Sequence, residues 1–93
     1  MALTEAQAKV LAALAGLKPT EALTVRRLCS ETCLSASTVR AALGVHSYAG
    51  WVLGSARTPA DWRITAEGRA LLATPAYRDY LNHPSYWVNG DGR

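Results

Sequence analysis

Residues 24–50, TVRRLCSETCLSASTVRAALGVHSYAG, constrain the chain more than any other stretch, because they spell two helices with almost nothing between them. Thr24 is a good N-cap, since its hydroxyl accepts from an N–H that the following turn leaves without a partner. Val25 and Leu28 share one face of a helix over 25–32, which leaves Arg26 and Arg27 on the other. Cys33-Leu34 make the corner. Ser35 is a second N-cap and opens a helix over 36–48, with Gly50 as its C′ residue. In that helix Val39, Leu43 and His46 recur every three to four residues and form an inward face. The opposite face carries Ser37, Thr38, Arg40 and Ala41, small or hydrogen-bonding groups and one arginine, with no bulky apolar side chain. A helix laid against the floor of a DNA major groove needs such a face, because base edges there present hydrogen-bond donors and acceptors.

The run from Val25 to Arg40 (VRRLCSETCLSASTVR) resembles the helix-turn-helix of bacterial winged-helix regulators of the MarR and GntR kind. Those regulators commonly end the recognition helix with Gly, an apolar residue and Val entering a strand, and here Gly50-Trp51-Val52 stand at that distance from Ser35. They continue with a β-hairpin, the wing, and close with a strand running into a helix. The segment from Asp61 to Leu72 (DWRITAEGRALL) is similar to that close, so the resemblance covers residues 4–73. It implies an α+β, mainly α fold, a winged helix-turn-helix with a three-helix core, a β-hairpin wing and additional C-terminal helices. Residues 1–81 are then the winged helix-turn-helix domain and 82–93 a C-terminal tail. Two positions depart from the pattern. Cys33 stands in the corner where the family usually has Gly, and Gly44 lies in mid-helix, where it costs about 1 kcal/mol relative to Ala and marks a place to bend or stop.

The remainder reads as support. Thr4 caps a first helix over 5–16, on which Leu3, Ala6, Val10, Ala13, Leu14 and Leu17 keep helical period, and Lys18-Pro19-Thr20 is a linker. Glu21-Ala22-Leu23 leads into Thr24 as a short first strand. Trp51-Val52-Leu53 is the first wing strand, residues 54–61 the turn and Trp62-Arg63-Ile64 the return. Thr65 caps the next helix, with Ala66, Ala70, Leu71 and Leu72 turned inward. Thr74-Pro75 opens a short helix over 76–81. Tyr77, Tyr80, Tyr86 and Trp87 are either core or a self-association surface.

Charge is placed unevenly. The net charge of +3 is carried by residues 24–58, where Arg26, Arg27, Arg40 and Arg57 face a single acid, Glu31; the flanking segments are neutral. A localised basic surface is the footprint of phosphate contact. Arg26 and Arg27 are placed to clamp the backbone as the second helix crosses it, with Glu31 as an i+4 partner for Arg27. Arg57 at the wing tip suits an adjacent minor groove, and Arg63 on the return strand suits a phosphate. The bland alternative for all four is a solvated surface.

Other function classes lack their parts. There is no Gly-rich phosphate loop, nucleophile elbow or carboxylate cluster, so an enzyme is not expected. Cys29 and Cys33 have a spacing that suits half a zinc site, but only His46 and His83 remain to complete it. Two reduced, packed thiols are the simpler reading, with no metal and no cofactor. No apolar run is long enough for a bilayer, and the N-terminus lacks signal-peptide character, so no membrane partner and a cytoplasmic location are expected.

The resemblance implies sequence-specific binding of double-stranded DNA by a small transcriptional regulator or repressor, working as a homodimer on an imperfect palindrome. Base readers would be Ser37, Thr38 and Arg40, supported by Ser35 and Ala41, with Arg26, Arg27, Arg57 and Arg63 on the backbone. Two alternatives keep the fold: a protein–protein interaction module, which would expose apolar anchors on the third helix, and an excisionase-like architectural DNA-binder. The sequence identifies no small-molecule effector.

Overall fold

The computed structural model of the chain describes residues 3–17 and 21–77. Its elements run α1 (Glu5–Ala15), β1 (Leu23–Thr24), α2 (Val25–Thr32), α3 (Ala36–Ala49), β2 (Val52–Gly54), β3 (Asp61–Ile64) and α4 (Ala66–Leu72). This is the mainly α winged-helix architecture expected from the sequence. The linker at 18–20, His83, the aromatics Tyr80, Tyr86 and Trp87, and the boundary at 81/82 lie outside the described residues.

Each helix begins where a hydroxyl is available to cap it. Thr4, Thr24, Ser35 and Thr65 accept from the backbone N–H of Gln7, Arg27, Thr38 and Gly68 respectively. Such a cap contributes about 1 kcal/mol. Thr4 and Gln7 form a full capping box, because the Gln7 side chain returns a bond to the Thr4 N–H at 3.0 Å. At the far end of α3, Gly50 turns the chain with φ 84°. Its N–H reaches the Ser47 carbonyl at 3.1 Å and the Trp51 N–H reaches His46 at 2.8 Å, the paired bonds of a Schellman close.

The corner between α2 and α3 is compact because two residues spend their polar groups locally. Thr32 is buried and its hydroxyl donates to the Leu28 carbonyl at 2.7 Å. Cys33 takes the left-handed conformation, φ 62° and ψ 28°, and its N–H closes on the Cys29 carbonyl. That explains the glycine of the family pattern, since a left-handed residue carrying a Cβ is strained by about 1–2 kcal/mol. Cys33→Gly is therefore expected to raise stability by about 1 kcal/mol, read as a higher urea midpoint with an unchanged slope. A lower midpoint would mean that the thiol contributes packing that its exposed position does not suggest.

The core lies between α1, α2, α3 and the small sheet. Leu11 and Leu14 from α1, Leu28 from α2, Val39 and Leu43 from α3, Val52 from β2 and Leu72 from α4 are fully buried. Each contributes on the order of 1.5–3 kcal/mol by leaving water. The sheet is antiparallel in the order β1-β3-β2, with Leu23 opposite Trp62 and Val52 opposite Ile64. Alternation sends Trp62 and Ile64 to one face of β3, and Asp61 and Arg63 to the other.

Several local expectations need correction. Gly44 does not stop α3, which continues to Ala49; burial of Leu43 and His46 on the inward face outweighs a propensity cost of about 1 kcal/mol. On α4 the inward residues are Gly68 and Leu72, with Leu71 half-buried, while Ala66 and Ala70 are exposed. The helix packs through a glycine, which hydrophobic periodicity does not register. Ala76 and Tyr77 form a turn rather than the start of a helix. The Tyr77 hydroxyl accepts from the Leu3 N–H at 2.8 Å, which ties the end of the described chain to the entrance of α1.

Candidate nucleic-acid interface

The solvent side of α3 is set by its inward side. Val39, Ala42, Leu43 and His46 are buried, so Ser37, Arg40, Ala41, Gly44, Ser47 and Tyr48 are left facing water. No residue of α3 is acidic. At its first turn, Ser35 accepts from the Thr38 N–H at 3.3 Å and donates to the Thr38 hydroxyl at 2.8 Å, and Ser37 lies 3.3 Å from the same Ser35 oxygen. Ser35 has one proton, and Thr38 receives it, so Ser37 is the donor in its pair. Ser35 is thus occupied as a cap, while Thr38 keeps its own proton free to donate outward.

The arginines divide into groups. Arg26 from α2 and Arg40 from α3 line one open groove of about 790 Å³, closed on its third side by Pro59, Ala60 and Trp62 of the wing. Arg57 and Arg63 lie on the wing itself, around a smaller depression of about 410 Å³ shared with Leu53 and Asp61. Arg27 is exposed and borders neither. Among the described residues no ion pair joins Arg27 to Glu31, so its charge is not blunted as the i, i+4 spacing suggested. Arg57 does have a partner, Asp61 at 3.6 Å, on a side chain that is 79% exposed. A pair this exposed is worth little and exchanges readily for a phosphate.

The wing is held rigid at its base. The Ser55 N–H bonds the Asp61 carbonyl at 2.9 Å, and the Ser55 hydroxyl accepts from the N–H groups of Asp61 and Arg57. Trp62 packs against Gly54, where a Cβ would sit 2.7 Å from the ring. These contacts position Pro59 and Ala60 opposite α3, and neither Trp62 nor Gly54 stood out in the sequence. A cross-strand pairing exposes the glycine–tryptophan match only once the register is known.

Two further residues, Arg69 and His46, make contacts that join distant parts of the chain. Arg69 from α4 donates to the Ala15 and Leu17 carbonyls at 3.0 and 3.3 Å, satisfying the open end of α1. It is a structural arginine rather than a ligand contact. His46 is fully buried, on the inward face where its spacing with Val39 and Leu43 puts it. Its Nε2 stands 2.8 Å from the Gln7 carbonyl, which accepts only, so Nε2 carries the proton. Nδ1 has no partner among the described residues, and the ring tilts against Trp51 at 5.7 Å.

Burial pushes the His46 pKa below its ordinary 6.5, and the bond to Gln7 only partly opposes this. The folded chain therefore holds neutral histidine where the unfolded chain takes up a proton. Stability should be lost as pH falls through 6.5 toward the lower folded value, by at most about 1.4 kcal/mol per pH unit. Urea midpoints at pH 7.5 and 5.5 test this, because carboxylates hardly titrate in that window. A midpoint that falls in the native chain and stays level in His46→Met is the expected pair of results.

Among the described residues no three His, Cys, Asp or Glu side chains gather to hold a metal ion. Cys29 is half-buried and borders the groove, whereas Cys33 is exposed. No helix among the described residues is long and apolar enough to cross a membrane.

No protein-family model and no curated protein matches the sequence. Solved structures do match the fold. A MarR family transcriptional regulator from Silicibacter pomeroyi DSS-3 superposes with a TM-score of 0.67 at 20% identity, over 97% of this chain and 62% of its own. BpsR of Bordetella bronchiseptica, whose DNA binding is regulated by 6-hydroxynicotinic acid, gives 0.68 at 23% identity over 95% and 59%. ZitR of Lactococcus lactis, a zinc-responsive MarR family member, gives 0.66 at 21% identity over 100% and 65%. The chain thus spans about three-fifths of the length of these regulators. The mainly helical core, the three-stranded antiparallel sheet and these superpositions together show a winged helix-turn-helix fold similar to that of solved MarR-family transcriptional regulators.

Proposed function

We propose that the chain binds double-stranded DNA sequence-specifically, as a small cytoplasmic transcriptional regulator acting as a repressor. The observation that carries this reading is the exposed face of α3, which offers Arg40 and Ser37 beside the half-buried Thr38 and carries no acid, on a fold shared with DNA-binding regulators. Placed in the major groove, α3 would read base edges with Arg40, for which guanine O6 and N7 are the natural bidentate partner. Arg26 and Arg27 on α2, with Arg57 and Arg63 on the wing, would bracket the flanking phosphates or a neighbouring minor groove. A homodimer would set two such faces one helical turn apart, about 34 Å, on a two-fold site.

Enrichment from a random duplex pool tests the reading. The expected outcome is one preferred site bound at least about a thousandfold more tightly than a scrambled duplex. Enrichment without any preferred sequence would favour an architectural role instead. Arg26→Ala or Arg27→Ala should weaken binding to every sequence alike and reduce the salt slope by about 1. An unchanged slope would remove that residue from the interface.

One observation favours a second reading. The groove between α2, α3 and the wing is largely apolar, with Val25, Leu43, Pro59 and Trp62 in its lining. A protein partner carrying an apolar segment and an acidic group would fit it, with Arg26 and Arg40 at the acid. Failure of the protein to bind duplex DNA, with capture of such a partner, would decide for that reading.

A further inference from the structure

Tyr48 is the largest side chain on the exposed face of α3, and it is 97% exposed. Among the described residues it has no hydrogen-bond or ring partner. A solitary exposed aromatic is common on protein surfaces, but this one stands in a particular line. Ser37, Ala41, Gly44 and Tyr48 follow one another at intervals of four, three and four residues, so they share one sector of the helix, about 60° wide. Arg40 borders the same sector, and no acid on α3 opposes an anion there.

We propose that Tyr48 is a DNA-backbone contact, its hydroxyl donating to a phosphate oxygen where α3 leaves the major groove. The assignment rests on the DNA-binding reading given above and deepens it. Ser37 and Tyr48 are separated by eleven residues, which a helix spans in about 16 Å. The major groove is about 12 Å wide, so with the first turn of α3 at the base edges, Tyr48 stands at the phosphate wall. A helical tyrosine leans toward the preceding turn, which here is Gly44. Nothing lies within 4 Å of the place a Gly44 Cβ would occupy, so the ring has clearance on that side. A phenol is a neutral donor. It strengthens binding to any sequence and releases no counterion, which separates its signature from that of the arginines.

The test compares the native chain with Tyr48→Phe and Tyr48→Ala, by fluorescence anisotropy on the selected duplex and on a scrambled duplex, at several salt concentrations. Tyr48→Phe should lose about ten- to a hundredfold in affinity on both duplexes, as one hydrogen bond to an anion predicts, with the salt slope unchanged. Tyr48→Ala should lose more. Thermal unfolding of both variants should match the native chain, because the side chain packs against nothing. Native affinity in both variants would overturn the assignment and leave the DNA reading standing. A loss confined to one base pair would overturn it in favour of base readout. Loss of self-association on sedimentation, with DNA affinity per bound unit unchanged, would make Tyr48 an interface between copies instead. A native chain that binds neither duplex at low salt would overturn the DNA reading and this assignment together.

Discussion

Gly68→Ala should destabilise the chain by about 2 kcal/mol, although it replaces a helical glycine with the best helix former. Gly68 is buried in α4, and a Cβ there would run into the Trp51 carbonyl oxygen and come within 2.7 Å of Ile64 Cγ1. The Ile64 side chain has some freedom to turn aside. The Trp51 carbonyl does not, because it accepts the Thr65 N–H at 2.9 Å. Thr65 is in turn anchored through its hydroxyl to the Gly50 carbonyl at 2.8 Å. Relief therefore requires α4 to lift from the chain that joins α3 to β2, and Leu72, fully buried on the same helix, lifts with it. Overpacking of this kind costs on the order of 1–3 kcal/mol and the partial exposure of Leu72 adds to it, while the gain in helix propensity returns about 1. In a domain of this size the melting temperature should fall by about 10 °C. A variant that melts higher than the native chain would show that α4 is free to shift and that the close approach is incidental.

Arg40→Ala is expected to cost about 1–3 kcal/mol on the preferred duplex, roughly five- to 150-fold in Kd, and to relax the preference at one base pair. Arg40 is exposed, and among the described residues it forms no ion pair, so its removal should leave the melting temperature unchanged. Folding and binding are thereby separable in this variant. Equal weakening on every sequence would place the guanidinium on a phosphate, across the groove from Arg26, and leave base reading to Ser37 and Thr38.

Much of the fold was legible because its punctuation is local. A capping hydroxyl acts on N–H groups two or three residues away, so Thr4, Thr24, Ser35 and Thr65 announce their helices without tertiary information. The inward face of α3 follows from spacing alone, and Val39, Leu43 and His46 are buried as that spacing requires. Long-range matches left no such trace. The packing of α4 through Gly68, the seat of Trp62 on Gly54 and the clasp of Arg69 on the end of α1 each depend on a partner brought close only by the fold. Ala66 and Ala70 were misplaced for the same reason, since small apolar residues fit either face of a short helix. On α3 the sequence reading stopped at Ala41. Tyr48 shares the face of Ser37 and Ala41, and extending the same four-and-three spacing two more steps would have reached it.

Salt-dependent binding of the native chain to random duplex DNA tests the central claim most directly, because non-specific electrostatic affinity underlies any specific affinity. Fluorescence anisotropy should give a linear fall of log K with log salt, its slope corresponding to several released counterions. Replacing Arg26, Arg27, Arg57 and Arg63 together by alanine should flatten that slope by about 3–4. Absence of binding at low salt, or binding whose slope survives the fourfold replacement, would contradict the placement of DNA on the face formed by α2, α3 and the wing.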